Sequence, residues 1–159
     1  MNKNLKFCEN CKKEVEYTRK KEDIIYVIHG KSVIFKNEVI RCKDCAKELN
    51  DNELFEVNSK LAREAYIKKY DIISSDDILH LLNLYNISPN VFSIILFNNN
   101  VTIKKLCSGK LPTKEESDKL KRIVKNPALA LELLKEQKEQ LSEIEYTMCE
   151  QRISLLINK

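Results

Sequence analysis

Phe7-Cys8-Glu9-Asn10-Cys11 and Cys42-Lys43-Asp44-Cys45 decide how this chain folds at its start. Each C-x-x-C presents two thiolates to one metal, and two such pairs supply the four soft ligands of a closed tetrahedral zinc site. A closed site has no position left for substrate. The expected ion is therefore structural, one Zn²⁺ per chain on Cys8, Cys11, Cys42 and Cys45. Two unrelated reduced pairs, or a redox C-x-x-C, are the alternatives that the spacing leaves open. Residues 12–41 form more than a short metal-binding loop, so they must fold into something that brings the pairs together.

Inside that interval, Ile24-Ile25-Tyr26-Val27-Ile28, Lys31-Ser32-Val33-Ile34-Phe35 and Glu38-Val39-Ile40 are rich in β-branched and aromatic residues and read as strands. His29-Gly30 and Lys36-Asn37 read as the turns between them. Residues 1–50 are thus expected to form a small antiparallel zinc ribbon, with metal binding contributing much of its folding energy. Neither knuckle has glycine after its second cysteine; Lys12 and Ala46 stand there. Residues 51–70 read as a linker helix capped by Asn50 or Asp51. Its face would carry Leu54, Val57, Leu61 and Ala65, with Phe55, Ala62 and Tyr66 beside it.

The rest reads as short helices, as expected of a chain with two glycines and three prolines. Ser74 or Ser75 caps the first, whose apolar face is Ile78, Leu81, Leu82 and Tyr85. Ser88-Pro89 starts a second, running to about Leu96. Asn98-Asn99-Asn100 is a turn, and Val101 to Cys107 is a third helix closed by Ser108-Gly109. Thr113 caps a fourth, reaching about Lys125. Asn126-Pro127 opens a last helix expected to run almost to the C-terminus. The domain plan is therefore α+β: a ribbon at 1–50, a linker helix at 51–70, a helix-turn-helix domain at 71–135 and a C-terminal helix at 136–159. Leu134, Leu141, Met148 and Leu155 recur every seven residues, which fits a homodimer helix as well as a helix packed on its own domain.

Charge is unevenly placed. Residues 71–97 hold three Asp and no Lys or Arg, whereas residues 98–125 hold eight basic and three acidic residues. That basic block marks where a polyanion would sit. It coincides with the helix-turn-helix, a motif whose second helix enters the major groove of DNA with its N-terminal residues at base edges. The candidate contacts are Asn99, Asn100, Val101, Thr102, Lys104, Lys105 and Lys110. Asn bonds adenine, Val and Thr touch a thymine methyl, and Lys bonds guanine or phosphate. Lys114, Lys119, Lys121, Arg122 and Lys125 would add backbone contacts. A plain helical bundle with a solvated basic face is the other reading.

In its order of parts the chain resembles the MqsA-type antitoxins, and the zinc-ribbon and helix-turn-helix modules of related phage-associated and Panacea-type antitoxins. The resemblance covers roughly residues 7–135. Phe7-Cys8-Glu9-Asn10-Cys11 matches the opening of that module. Ser88-Pro89-Asn90-Val91-Phe92-Ser93-Ile94-Ile95-Leu96 is similar to the family's S-Q-x-x-F-A-x-L-L, with Pro89 in place of glutamine. Thr102-Ile103-Lys104-Lys105-Leu106-Cys107-Ser108-Gly109 is similar to its T-I-x-R-Y-E-x-G, with Leu106-Cys107 in place of Tyr-Glu. Asn126-Pro127 resembles the start of the family's next helix. The resemblance implies a ribbon half that binds a partner toxin. It also implies a helical half that dimerises and binds double-stranded operator DNA.

The departures leave room for a phage or mobile-element interaction factor whose helix-turn-helix binds no DNA. A zinc-binding RNA or polymerase accessory factor is a third class. No nucleophile stands with a base, and no phosphate-binding glycine loop is present, so an enzyme is not expected. His29 and His80 lack a metal partner at helical spacing. Cys107 and Cys149 read as small apolar residues. No apolar run reaches the roughly 18 residues of a membrane span and no signal-peptide core is evident, so a cytoplasmic protein without membrane contact is expected. Within residues 1–70, the ribbon's strand edges and its Ile24, Tyr26, Ile28, Val33 and Phe35 are the expected partner-binding surface, unless the linker helix covers them with Leu54, Leu61 and Ala65.

Overall fold

A computed structural model describes residues 5–158. Residues 1–4, part of the stretch read as lacking a signal-peptide core, lie outside the described residues, as does Lys159. The architecture is α+β: a three-stranded antiparallel sheet followed by helices. The chain divides into two compact units, residues 1–69 and 70–159.

In the first unit the strands are β1 (Leu5–Cys8), β2 (Lys13–Ile28) and β3 (Lys31–Cys42), in the order β1-β2-β3. The β2–β3 connection is a two-residue turn. His29 and Gly30 both have positive φ, 48° and 73°, the geometry that matches the strands' right-handed twist. The turn expected at Lys36-Asn37 is absent. Lys36 lies opposite Asp23 and Asn37 opposite Glu22 in an unbroken ladder, and the Asn37 amide donates to Asn58 at 2.6 Å. The reading also missed β1, a four-residue strand, and the first half of β2, which is largely charged. Cross-strand ion pairs join that half of β2 to β3. Arg41 grips Glu22 through two bonds of 3.0 and 2.6 Å, and Arg19 reaches Glu38 at 3.4 Å.

Helix α1 (Asn52–Tyr70) also belongs with this unit. Asp51 caps it, accepting from the Leu54 N–H at 2.9 Å while pairing with Lys6 at 2.6 Å. The buried face is Ala62 and Tyr66, with Leu54 and Asn58 half-buried in line with them. The face expected from Leu54, Val57, Leu61 and Ala65 is rotated from this: Val57 is exposed, and Leu61 and Ala65 are half-buried. Tyr66 makes a ring contact with His29, and the Lys69 ammonium donates to the Ser32 carbonyl at 3.0 Å. The helix therefore lies along the hairpin.

The second unit packs α2 (Ser75–Tyr85), α3 (Pro89–Phe97), α4 (Thr102–Cys107), α5 (Lys114–Lys125), α6 (Pro127–Glu136) and α7 (Glu143–Ile157) around one apolar core. Its largest buried residues include Tyr85, Phe92, Leu96, Leu120 and Ile123. Tyr85 stacks near Phe92 and donates its hydroxyl to the Ile123 carbonyl at 2.9 Å; burial pushes that phenol up to about 12. Ser74 and Thr113 each build a capping box with the acid three residues on. The expected continuous last helix is two helices. A short 3-10 turn at Lys138–Gln140 separates them, and Ser142 recaps α7 in a box with Glu145. The seven-residue repeat does not form one seam: Leu141 lies outside either helix, and Leu155 is exposed. Cys149 is buried and Cys107 half-buried, as small apolar residues. Among the described residues no single helix is long and apolar enough to cross a membrane.

Asp51 gives this fold a pH-dependent element. The Lys6 ammonium and then the Leu54 N–H hold its carboxyl below the ordinary range. A depressed acid stabilises the fold above its unfolded value of about 4, and loses that effect as pH falls through the folded value. Asp51→Ala is expected to cost about 1 kcal/mol at neutral pH. Melting curves of the variant and wild type should converge in acid.

Candidate metal centre and helix-turn-helix surface

An antiparallel hairpin returns the chain to its starting end. The turn after β1 and the turn after β3 therefore lie together, opposite the His29-Gly30 tip. They carry Cys8 and Cys11, and Cys42 and Cys45. All four sulfurs lie within 4.8 Å of one another. Cys8 Sγ is 3.6 Å from Cys45 Sγ, and Cys11 Sγ is 3.8 Å from Cys42 Sγ. Zinc–sulfur bonds of about 2.3 Å in a tetrahedron require sulfurs roughly 3.8 Å apart. The donors present fit a four-thiolate ion.

The knuckles are built alike. Lys12 N–H returns to the Cys8 carbonyl at 2.8 Å, and Ala46 N–H to the Cys42 carbonyl at 3.0 Å. Both turns place the residue after the second cysteine in the left-handed region, Lys12 at φ 55° and Ala46 at φ 59°. This is the conformation glycine would adopt without strain. The same turns aim backbone N–H groups at sulfur. Cys11 N–H points to Cys8 Sγ at 3.4 Å, and Asp44 and Cys45 N–H point to Cys42 Sγ at 3.3 and 3.4 Å. Such bonds favour thiolates and orient them.

Two of the lysines flanking the knuckles form ion pairs: Lys13 with Asp44 at 2.8 Å and Lys43 with Glu16 at 2.7 Å. The Lys47 backbone N–H is the main cause that brings the Cys45 thiol down to about 6. Cys11, hydrogen-bonded to Cys45, is pushed up to about 12.

The second candidate surface is α4 and the turn before it. Ile103 and Leu106 are fully buried, which turns Val101, Lys104 and Lys105 outward. With Ser108 and Lys110 they surround a shallow hollow. No ion pair involves Lys104, Lys105 or Lys110 among the described residues, and Asn100 is exposed beside them.

Asn99 and Thr102 are placed otherwise. Asn99 Oδ1 accepts from the Val101 and Thr102 N–H groups, at 3.1 and 3.0 Å, and from the Thr102 hydroxyl at 2.9 Å. The Asn99 amide donates to the Phe97 carbonyl at 3.1 Å. Asn99 thus satisfies N–H groups at the start of α4, whose N-cap is Val101, and both side chains are engaged inside the turn. In the basic block, Lys121 binds Asp71 at 2.6 Å, Lys114 binds Asp118 at 2.8 Å, and Lys119 lies 5.7 Å over the Phe97 ring. Arg122 and Lys125 stay exposed.

Two positioning residues were not singled out from the sequence. Ser93, fully buried in α3, donates to the Pro89 carbonyl at 2.7 Å and accepts from the Ile103 N–H at 2.8 Å, which fixes the start of α4. Gln140 donates to the side-chain oxygen of Asn98, the left-handed C-cap of α3. Serine among apolar residues at 88–97 is the signal that points to the first. The second joins residues too distant in sequence for any local pattern. No family model matches the chain, and no curated protein matches it.

The left-handed knuckle residues yield a stability test. Ala46→Gly relieves a strain of about 1–2 kcal/mol, less the larger entropy that glycine gives the unfolded chain. A net gain of roughly 0.5–1 kcal/mol is expected. Denaturant unfolding followed by a sheet-specific signal measures it.

Proposed function

We propose that this chain is an antitoxin-like transcriptional regulator. Its zinc-folded ribbon half binds a partner toxin, and its helix-turn-helix half binds the operator of its own gene. One observation carries the DNA half of this reading. The outward face of α4 holds Lys104, Lys105 and Lys110 without acidic partners, on a helix whose other face is buried. Asn100 and Val101 lie at its start, where base edges are met. Since Asn99 and Thr102 are engaged in the turn, base reading falls to Asn100, Val101 and Lys104, and phosphate binding to Lys105 and Lys110.

Zinc is the ion this reading assigns to the ribbon. Four thiolates in a tetrahedron suit it better than the hard oxygen-seeking cations. The toxin-binding surface assigned here is the ribbon face that carries Ile25, Val27 and Ile34, exposed by 66, 68 and 58%. Ile25 and Ile34 are cross-strand partners, so the three form one patch. The residues first expected to do this, Ile24, Tyr26, Ile28, Val33 and Phe35, are buried or half-buried on the opposite face. Val27→Glu should abolish capture of the neighbouring gene's product by the full chain, and unchanged capture excludes this patch.

A second reading is an interaction factor whose helix-turn-helix binds no DNA. It is favoured by the brevity of α4, six residues, and by the engagement of Asn99 and Thr102. Gel shifts with the DNA upstream of the gene separate the two. If DNA is bound, Lys105→Ala should weaken binding and reduce the slope of log K against log salt by about 1. Asn100→Ala should instead relax sequence preference. Absence of binding at low salt selects the second reading.

The metal assignment has its own test. Protein purified without chelator should contain one zinc per chain. Chelation should unfold the sheet while the helical signal of the second unit persists. Metal-free protein whose sheet is folded would exclude a structural ion.

A further inference from the structure

Helix α7 carries two apolar stripes. The inner one, Cys149 and Ile153 with Tyr146 and Leu156 beside them, belongs to the core. The outer one is Ile144, Met148 and Leu155, exposed by 73, 44 and 66%, with Gln151 completing the row. The steps along this row are four, three and four residues, the alternation of core positions in a two-stranded coiled coil. Nothing in the described residues covers it.

We infer that this stripe is the contact of a twofold-symmetric, antiparallel dimer of this chain. A twofold interface needs a patch complementary to itself. The row reads the same from either end in spacing. A twofold axis between Met148 and Gln151 lays Ile144 against the Leu155 of a second copy, and Met148 against Gln151. The flanking charges reverse across the same centre. Glu145 and Arg152 take equivalent flanking positions seven residues apart. Such positions face each other across an antiparallel pair, so each Glu145 meets an Arg152 of the other copy. Both side chains keep the capacity to do so. Glu145 uses Oε2 for the Ser142 cap, and Arg152 uses Nη1 for the Asn86 carbonyl. A parallel pair would instead stack Gln151 on Gln151 and bring no opposite charges together. The polar Gln151 in an otherwise apolar row is the kind of residue that selects register. This inference needs neither the DNA nor the toxin assignment.

Sedimentation equilibrium of the full chain, with thermal melting as a fold control, tests the contact. Wild type is expected to show a monomer–dimer equilibrium. Leu155→Glu should weaken it by at least about tenfold, and at concentrations where both proteins are monomeric it should melt at the wild-type temperature, since Leu155 faces solvent in the monomer. Orientation is tested by mild oxidation of Ile144→Cys and Leu155→Cys proteins, with peptide mapping of the disulfide. The mixture should link position 144 to position 155, and neither variant should link to itself. A wild type that stays monomeric overturns the proposal and assigns the stripe to another occupant. So does a dimer indifferent to Leu155→Glu, or self-linking of Ile144→Cys, which marks a parallel pair.

Discussion

Four sulfur atoms within 4.8 Å of one another are what both knuckles of the first unit are built around. The buried cluster around the knuckles is Cys8, Val15, Ile40, Cys42 and Leu49, so two of its five members are themselves cysteines of the tetrad. A cluster that small gives this end of the sheet little independent stability. A divalent cation favours all four thiolates at once. Ion pairs fasten the knuckles. Lys13–Asp44 ties the two knuckles to each other, and Lys43–Glu16 ties the second to β2. What faces sulfur is mainly backbone N–H, fixed in direction by turns that Lys12 and Ala46 complete in a conformation costly to both.

The second unit is assembled on different terms. It has a full apolar core, and its two buried serines each meet a backbone N–H: Ser93 that of Ile103, and Ser117 that of Ile73 at 2.8 Å. Those two bonds bridge segments that apolar contact alone would leave free to slide. Ser93, Asn99 and Gln140 fasten the α3–α4 corner from three sides. A six-residue helix has little stability of its own. Its orientation, and with it the direction of Lys104 and Lys105, is set by Ile103, Leu106 and this frame.

Much of this was legible in the residues because it is local. The paired C-x-x-C spacing gave the tetrad, and Ser74, Ser88, Thr113 and Asn126-Pro127 marked helix starts where they occur. The failures share a cause. Residues 13–23 did not read as strand because ion pairs with β3, not alternating apolar residues, hold them. The break between α6 and α7 was written in Ser142-x-x-Glu145, a capping box masked by the run of leucines before it. The inner face of α1 was misjudged because the helix lies along the hairpin with a partly polar row, where Asn58 meets Asn37 and Tyr66 meets His29. At α4 the sequence marks a polar, basic start, but not which side chains the turn itself consumes.

Exposed apolar residues pose the converse problem, since periodicity cannot tell an inner stripe from an outer one. Helix α7 is apolar on two faces, and a pattern of that kind ordinarily means burial on every side. Here the core takes Cys149 and Ile153 and leaves Ile144 and Leu155 bare. The β2–β3 ribbon does the same, burying Val33 beneath α1 and leaving Ile25, Val27 and Ile34 on the far side. The two bare surfaces differ in kind. The ribbon patch sits on the two-stranded part of the hairpin, beyond the reach of β1, which suits a partner of unlike shape. The helical row is periodic, and its flanking charges complement their own reversal, which suits a copy of itself. One chain thereby carries two apolar surfaces with different geometric demands, and neither can substitute for the other.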